Sequence, residues 1–166
     1  MLILIPRESA ILDIFSGKTE KAVISKVARS SEQLKRFKEK DDISIFEFRN
    51  LRREGSNSNR EDGQRQYYPL YANLVTGKIR VPTMHWVEAD REWILDEQER
   101  EHEVVIWPIT DSGREKNWRW SEANVRKDYS QFLARIPKGS DRPQVYYKYR
   151  PNLDGVTPLT FWSDSK

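Results

Sequence analysis

Apolar positions along the chain switch between two periods. Over residues 6–17, Ala10, Ile11, Ile14 and Phe15 share one helical face, with Pro6 at the first turn, Glu8 near the positive end of the dipole and Gly17 closing the segment. Residues 21–30 carry no single period: Ala22-Val23-Ile24 favours a strand and its flanks do not. Residues 31–40 predict a second helix, with Leu34 and Phe37 inward and lysines outward. Ile43, Ile45, Phe46 and Phe48 mark a strand over 43–48. Strands follow at 67–73 and 78–81, joined by a hairpin turn at 73–77. Residues 82–86 lead into an acidic stretch that predicts a helix or lid around Trp93 and Ile94. A strand over 103–109 runs into a turn at Asp111-Ser112-Gly113, and Trp118 and Trp120 sit in a short strand. Ser121 stands as the N-cap of a helix with Glu122 in its first turn and Val125, Tyr129, Phe132 and Leu133 along its face. Residues 144–149 read as a strand on which Tyr146, Tyr147 and Tyr149 alternate, so at least one of its faces is core. The pattern predicts an α+β fold of mixed, mainly antiparallel strands with a few flanking helices, in a single domain over residues 1–166.

Composition narrows the chemistry. Six Trp, seven Tyr and six Phe imply a real core, and a chain of 166 residues buries close to about 70% of its unfolded surface. No apolar run approaches the ~20 residues of a spanning helix, and residues 1–5 are too short for a signal-peptide core. A cytoplasmic protein with no membrane partner is the expectation. The absence of Cys excludes a disulfide framework, a thiolate zinc site and a Cys nucleophile, and two His leave little for a metal cluster. A Ser–His–Asp triad would need His85 or His102, which read as a packed or rim His and a solvated one. Ser16-Gly17-Lys18-Thr19 is not a P-loop, because the position five before Gly17 is Leu12. A nuclease or small hydrolase is disfavoured, since the clustered carboxylates lack a paired Lys.

Charge is unevenly placed. The net charge is +3, yet residues 88–103 hold eight carboxylates and two Arg, an acidic insertion of −6 that leaves +9 on the rest of the chain. A basic body suits a polyanionic partner. The acidic insertion also admits another reading, a solvated face or the contact of a protein-interaction or scaffold module, through Glu97, Glu99 and Glu101.

Residues 49–66 lack apolar periodicity and contain five Arg and no Lys, with two Gly, two Ser and three Asn. A loop of that length inside a domain is uncommon and is usually functional or disordered. Arg is suited to bidentate contact with phosphate and guanine, while Ser and Asn supply short donors. Gly55 lets backbone N–H groups approach an anion, and the Tyr that follow offer stacking faces. The candidate contacts are Arg49, Arg52, Arg53, Ser56, Asn57, Ser58, Arg60, Tyr67 and Tyr68. Glu61 and Asp62 are read as holding Arg side chains in place. The competing reading is a solvated loop closed by internal Arg–carboxylate pairs.

Three ordered blocks carry a resemblance. They are Phe48-Arg49-Asn50-Leu51-Arg52-Arg53-Glu54-Gly55-Ser56-Asn57-Ser58-Asn59-Arg60-Glu61-Asp62 with Tyr67-Tyr68-Pro69-Leu70-Tyr71; Trp107-Pro108-Ile109-Thr110-Asp111-Ser112-Gly113-Arg114-Glu115 with Trp118-Arg119-Trp120-Ser121; and Val145-Tyr146-Tyr147-Lys148-Tyr149-Arg150-Pro151 with 157–164. Together they resemble the middle region of site-specific adenine DNA methyltransferases, including the modification subunits of type III restriction–modification systems. The family's Asp-Pro-Pro-Tyr tetrapeptide and Phe-x-Gly-x-Gly donor segment do not occur in this sequence. The resemblance therefore implies a target recognition region excised from a larger methyltransferase, inactive alone, with no catalytic, cofactor or metal residue in this segment. It implies S-adenosylmethionine as cofactor of the complete enzyme. It implies double-stranded DNA and the remaining methyltransferase domain as partners, with a restriction subunit and a second copy as further candidates. A motif shared by enzymes with different sites suits phosphate grip or packing; site reading would fall to less typical stretches such as 78–93 or 138–144. Trp118 and Trp120 are read as core, not as base-stacking wedges.

Overall fold

The structure is a computed structural model that describes residues 26–155; the expected helix over 6–17 and the tail after residue 155 lie outside the described residues. Contacts group the chain into two units, Met1–Gln33 with Asn152–Lys166, and Leu34–Pro151. In the first unit, Ser30 and Gln33 exchange backbone-to-side-chain hydrogen bonds of 3.2 Å each way at the start of α1 (Ser31–Leu34), and Arg29 Nε donates to Asn152 O.

The second unit is built from antiparallel strands: β1 (Glu39–Lys40), β2 (Ile45–Asn50), β3 (Leu70–Asn73), β4 (Ile79–Arg80), β5 (Met84–Val87), β6 (Glu92–Leu95), β7 (Glu103–Ile106), β8 (Phe132–Arg135) and β9 (Gln144–Tyr149), with α2 (Glu122–Arg126) between β7 and β8. They form a four-stranded sheet in the order β1-β2-β9-β8, a three-stranded sheet β4-β3-β7 and the two-stranded hairpin β5-β6. This is the mixed α+β, mainly antiparallel fold that the pattern predicts. One hydrophobic cluster draws on both larger sheets: Leu70, Ala72 and Ile106 from one, Val145, Tyr147 and Ala134 from the other, with Leu51, Trp118 and Val125 from the connections. On β9 the side chains alternate, Val145 and Tyr147 inward and Tyr146 outward under Arg135. Trp118 belongs to the core cluster, and Trp120, partly buried, packs against it, meeting Phe132 and Tyr147 at 5.1 and 5.5 Å.

Four expectations need correction. The short strand expected at Trp118 and Trp120 is a single bridge from Trp118 to Arg52. The helix expected over 31–40 stops at Leu34: Phe37 turns inward to stack on Tyr149, and Glu39 and Lys40 pair with Phe46 and Ile45. Tertiary pairing overrides a weak local period there. The helix at Ser121 begins as expected, with Ser121 Oγ accepting from Asn124 N, but it ends at Arg126. Asp128 draws the Ser130 N–H and hydroxyl to its own carboxylate, and Phe132 enters β8 opposite Tyr147. The acidic stretch is a hairpin, not a helix. Its apolar positions have period two: Trp93 and Leu95 are half-buried and Glu92 and Ile94 exposed, and Trp86 meets Trp93 edge-on across the strands at 5.5 Å.

The β3–β4 turn shows what fixes the register. Asn73 Oδ1 accepts from Val75 N and Thr76 N, and Gly77, at φ +73°, donates to Asn73 O and accepts from Ala134 N at 2.8 Å. A Cβ at Gly77 would lie 2.4 Å from Leu133 Cδ1 and 3.2 Å from Ala134 O. Gly77→Ala is therefore expected to destabilise the fold by about 1–3 kcal/mol, through strain at positive φ and displacement of β8. Urea unfolding followed by tryptophan fluorescence measures it.

Candidate functional site

The loop at 49–66 is ordered by one short partner segment, residues 116–119. Arg53 N donates to Asn117 O at 2.7 Å, Asn117 N to Ser58 O at 2.8 Å, Arg119 N to Leu51 O at 2.9 Å and Trp118 N to Gln66 O at 2.9 Å. Asn117, fully buried, adds Nδ2 to Asn59 O at 2.6 Å, and Lys116 Nζ reaches Asn59 Oδ1 and Ser58 Oγ. Trp118 completes the anchor by donating its indole N–H to Tyr68 O at 2.7 Å. A segment without apolar periodicity is thus held by its backbone, whose polar groups must find partners when shielded from water. Within it, Asn59 caps a short helical turn at Arg60–Asp62, and Asp62 Oδ2 accepts from Asn59 N at 3.0 Å.

The candidate contacts separate into groups. Tyr68 is buried, its hydroxyl donating to Trp120 O at 2.8 Å, and burial pushes that hydroxyl's pKa far up. Ser58 is buried too, donating to Gly55 O at 2.7 Å. Tyr67 stacks on Trp107 at 4.9 Å, and its hydroxyl donates to Glu115 at 2.8 Å. These three support the loop: both Tyr rings are buried, and the hydroxyls of Tyr67, Tyr68 and Ser58 are taken by Glu115, Trp120 O and Gly55 O. Arg49 pairs with Glu47 and lies 3.6 Å over the Tyr149 ring. Arg52 pairs with Glu54 and donates to Ile109 O. Arg60 bridges Glu92 at 2.8 Å and Glu115 at 3.0 Å over the Tyr67 ring. Arg53, Ser56 and Asn57 remain: Ser56 and Asn57 are exposed, Asn57 at φ +54°, and the Arg53 side chain has no carboxylate partner among the described residues. The acids that hold Arg side chains are Glu47, Glu54, Glu92 and Glu115 rather than the expected Glu61 and Asp62; Asp62 caps the turn instead.

The acidic hairpin supplies many of these partners. Glu92 takes Arg60, and Glu88 takes both Arg65 and the Trp86 indole N–H. Asp96 pairs with His85 at 2.8 Å. Glu103 accepts Arg80 in a bidentate pair at 2.7 and 2.8 Å, Glu97 takes the remaining Arg80 nitrogen, and Arg80 lies over Tyr71. Arg60, Arg65 and Arg80 therefore offset part of the insertion's charge on folding. Glu97, one of the three acids that the scaffold reading would use, is committed to Arg80 and to Thr83 N. No group of His, Cys, Asp and Glu suited to a metal ion occurs among the described residues. Nor, among them, is any helix long and apolar enough to cross a membrane.

Comparison with known proteins finds a methyltransferase. The chain is 30% identical over 116 residues to the type II methyltransferase M.KpnI of Klebsiella pneumoniae. The match covers 69% of this chain and 23% of that protein, so the chain spans about a quarter of its relative's length. No family model matches, and no solved structure matches. The similarity makes this a methyltransferase-related region; the relative is of type II, whereas the sequence blocks resemble type III subunits as well.

The ion pairs set the acid response. Arg80 holds the Glu103 carboxyl below its ordinary 4.5, and the Tyr67 hydroxyl followed by Arg60 does the same to Glu115. A carboxylate lowered in the folded state contributes stability that is fully present above the unfolded value and is lost as pH falls through the folded one. The melting temperature is therefore expected to fall as pH drops below about 4.5. Glu103→Gln should lower it at neutral pH and flatten that descent, as followed by circular dichroism.

Proposed function

We propose that this chain is a DNA-binding, target-recognition segment of a site-specific adenine DNA methyltransferase from a restriction–modification system. Catalytic and methyl-donor parts then belong to the rest of the enzyme. The observation that carries the reading is the Arg- and amide-rich loop fixed on residues 116–119, in a chain similar to a methyltransferase. A loop whose backbone is already ordered loses little entropy when it meets a rigid duplex, and its exposed Ser56 and Asn57 and half-exposed Arg53 carry donors suited to phosphate oxygens and base edges. In the complete enzyme the target adenine would be extruded from the stack, since its amino group is not reachable inside the duplex.

S-adenosylmethionine supplies the methyl group in such enzymes. The residues described here do not fit it. A groove of about 320 Å³ between residues 63–66 and Trp86, Glu88 and Arg91 holds one carboxylate. That carboxylate, Glu88, is already shared by Arg65 and Trp86 and is not free for a ribose diol. On this reading the cofactor belongs to the rest of the enzyme.

The reading is tested by titrating a fluorescent duplex with the 166-residue chain while salt is varied. Binding at about 50 mM salt that weakens linearly in log–log form as salt rises is expected. Absence of binding at that salt would sink the assignment.

A further inference from the structure

Three chain segments converge on one cleft: Asn50 and Arg52, residues 106–109, and residues 143–145, with Trp118 at its base. They are tied by Leu51 N to Val145 O at 2.8 Å, Asn50 Nδ2 to Gln144 Oε1 at 2.7 Å and Arg52 Nη1 to Ile109 O at 2.9 Å. Each segment continues outward into a turn. Arg53 follows the first. The second runs into the turn at 110–114, closed by Thr110 N to Arg114 O at 2.9 Å. The third is preceded by the loop carrying Lys138 and Arg142, pinned to that turn by the Ser140 hydroxyl donating to Asp111 Oδ1 at 2.8 Å.

The segments that lead away from this cleft carry four cations, Arg53, Arg114, Lys138 and Arg142. Arg114, Lys138 and Arg142 are exposed and Arg53 half-exposed, and none has a carboxylate partner among the described residues. The acids on the same segments are Glu54, which Arg52 occupies, Glu115, which Arg60 and Tyr67 occupy, Asp111, which accepts from Ser140, and exposed Asp141. The other four Arg of the 49–66 loop are neutralised by Glu47, Glu54, Glu88, Glu92 and Glu115. This difference decides which cations can grip a polyanion. A guanidinium already paired with a protein carboxylate must give up that partner to take a phosphate. A free one only displaces the counterions condensed on the duplex, and that release drives binding.

Building on the proposed DNA-binding reading, we infer that the rim of this cleft, through Arg53, Arg114, Lys138 and Arg142, is the surface that contacts the phosphates of a DNA duplex. The Arg of the loop other than Arg53 brace the fold beneath it. The rim joins the loop that the family resemblance emphasises to the 138–144 stretch that it does not.

A labelled duplex of about 25 base pairs is titrated with three forms of the full chain at several salt concentrations, since each lost phosphate contact removes about one unit of salt slope. The first is wild type. The second changes Arg53, Arg114, Lys138 and Arg142 to Gln. The third changes Lys38, Lys40, Lys78 and Lys127 to Gln, which removes the same charge from β1, the β3–β4 turn and the end of α2. The rim variant is expected to bind at least about tenfold more weakly at low salt, with a log–log slope shallower by about 3. The lysine variant should keep a slope within about one unit of wild type. A further variant, Arg53→Lys/Arg114→Lys/Arg142→Lys, retains the charges and should restore the slope, which loss of folding would not permit. Equal losses in the rim and lysine variants, or an unchanged slope in the rim variant, overturn the inference while leaving the DNA-binding reading intact. Failure of wild type to bind removes both.

Discussion

The second unit depends on residues 116–119 acting as a backbone partner for a segment that cannot order itself. Arg49 to Gln66 offers no apolar stripe, and its two short helical turns at Arg60–Asp62 and Gln64–Gln66 are too brief to persist alone. It is ordered because Leu51, Arg53, Ser58, Asn59 and Gln66 all exchange hydrogen bonds with one four-residue stretch. Trp118 sinks that stretch into the core and ties it to Tyr68, so the loop inherits the rigidity of the hydrophobic cluster. Removing Trp118 would therefore act on the loop as much as on the core.

Electrostatics follow from the same placement. Fixing the loop brings Arg60 and Arg65 against the acidic hairpin, where Glu92 and Glu88 meet them. Exposed pairs of this kind orient side chains more than they stabilise the fold. Arg80 differs, being largely buried and gripped by Glu97 and Glu103 above the Tyr71 ring. There a lost partner would leave a shielded charge, which is the costly case. The acidic insertion is thus an internal counterweight to the Arg-rich body, and two of its carboxylates fix the path of the chain from β4 to β7.

How legible this was depended on whether local pattern and tertiary pairing agreed. Strands β2, β3 and β9, the turn at 73–77 and the Ser121 cap could be read because alternation, turn residues and capping chemistry each act over a few neighbours. Val125, Tyr129, Phe132 and Leu133 misled because their spacing satisfies a helix as well as a turn followed by β8; the choice lies with β9, far along the chain. The acidic stretch misled because its charges outweigh the period-two signal of Trp93 and Leu95. Of the candidate contacts, Tyr68 and Ser58 were the hardest to place. A Tyr or Ser in a polar loop looks solvent-facing until the partners of its hydroxyl, Trp120 O and Gly55 O, are known.

The most recognisable stretch of the sequence is also the most internally bonded. Arg49, Arg52, Arg60, Ser58, Asn59 and Tyr67 each spend their polar groups within the chain. Residues bonded in this way are constrained by the fold whatever the ligand, so a pattern built from them reports architecture first. Ligand contact falls instead to side chains whose polar groups the fold leaves open. Among the described residues, Arg53 on the loop and Arg114, Lys138 and Arg142 on segments with little distinctive pattern are side chains of that kind. A resemblance can therefore locate the scaffold of a binding surface while the residues that touch the partner lie beside it.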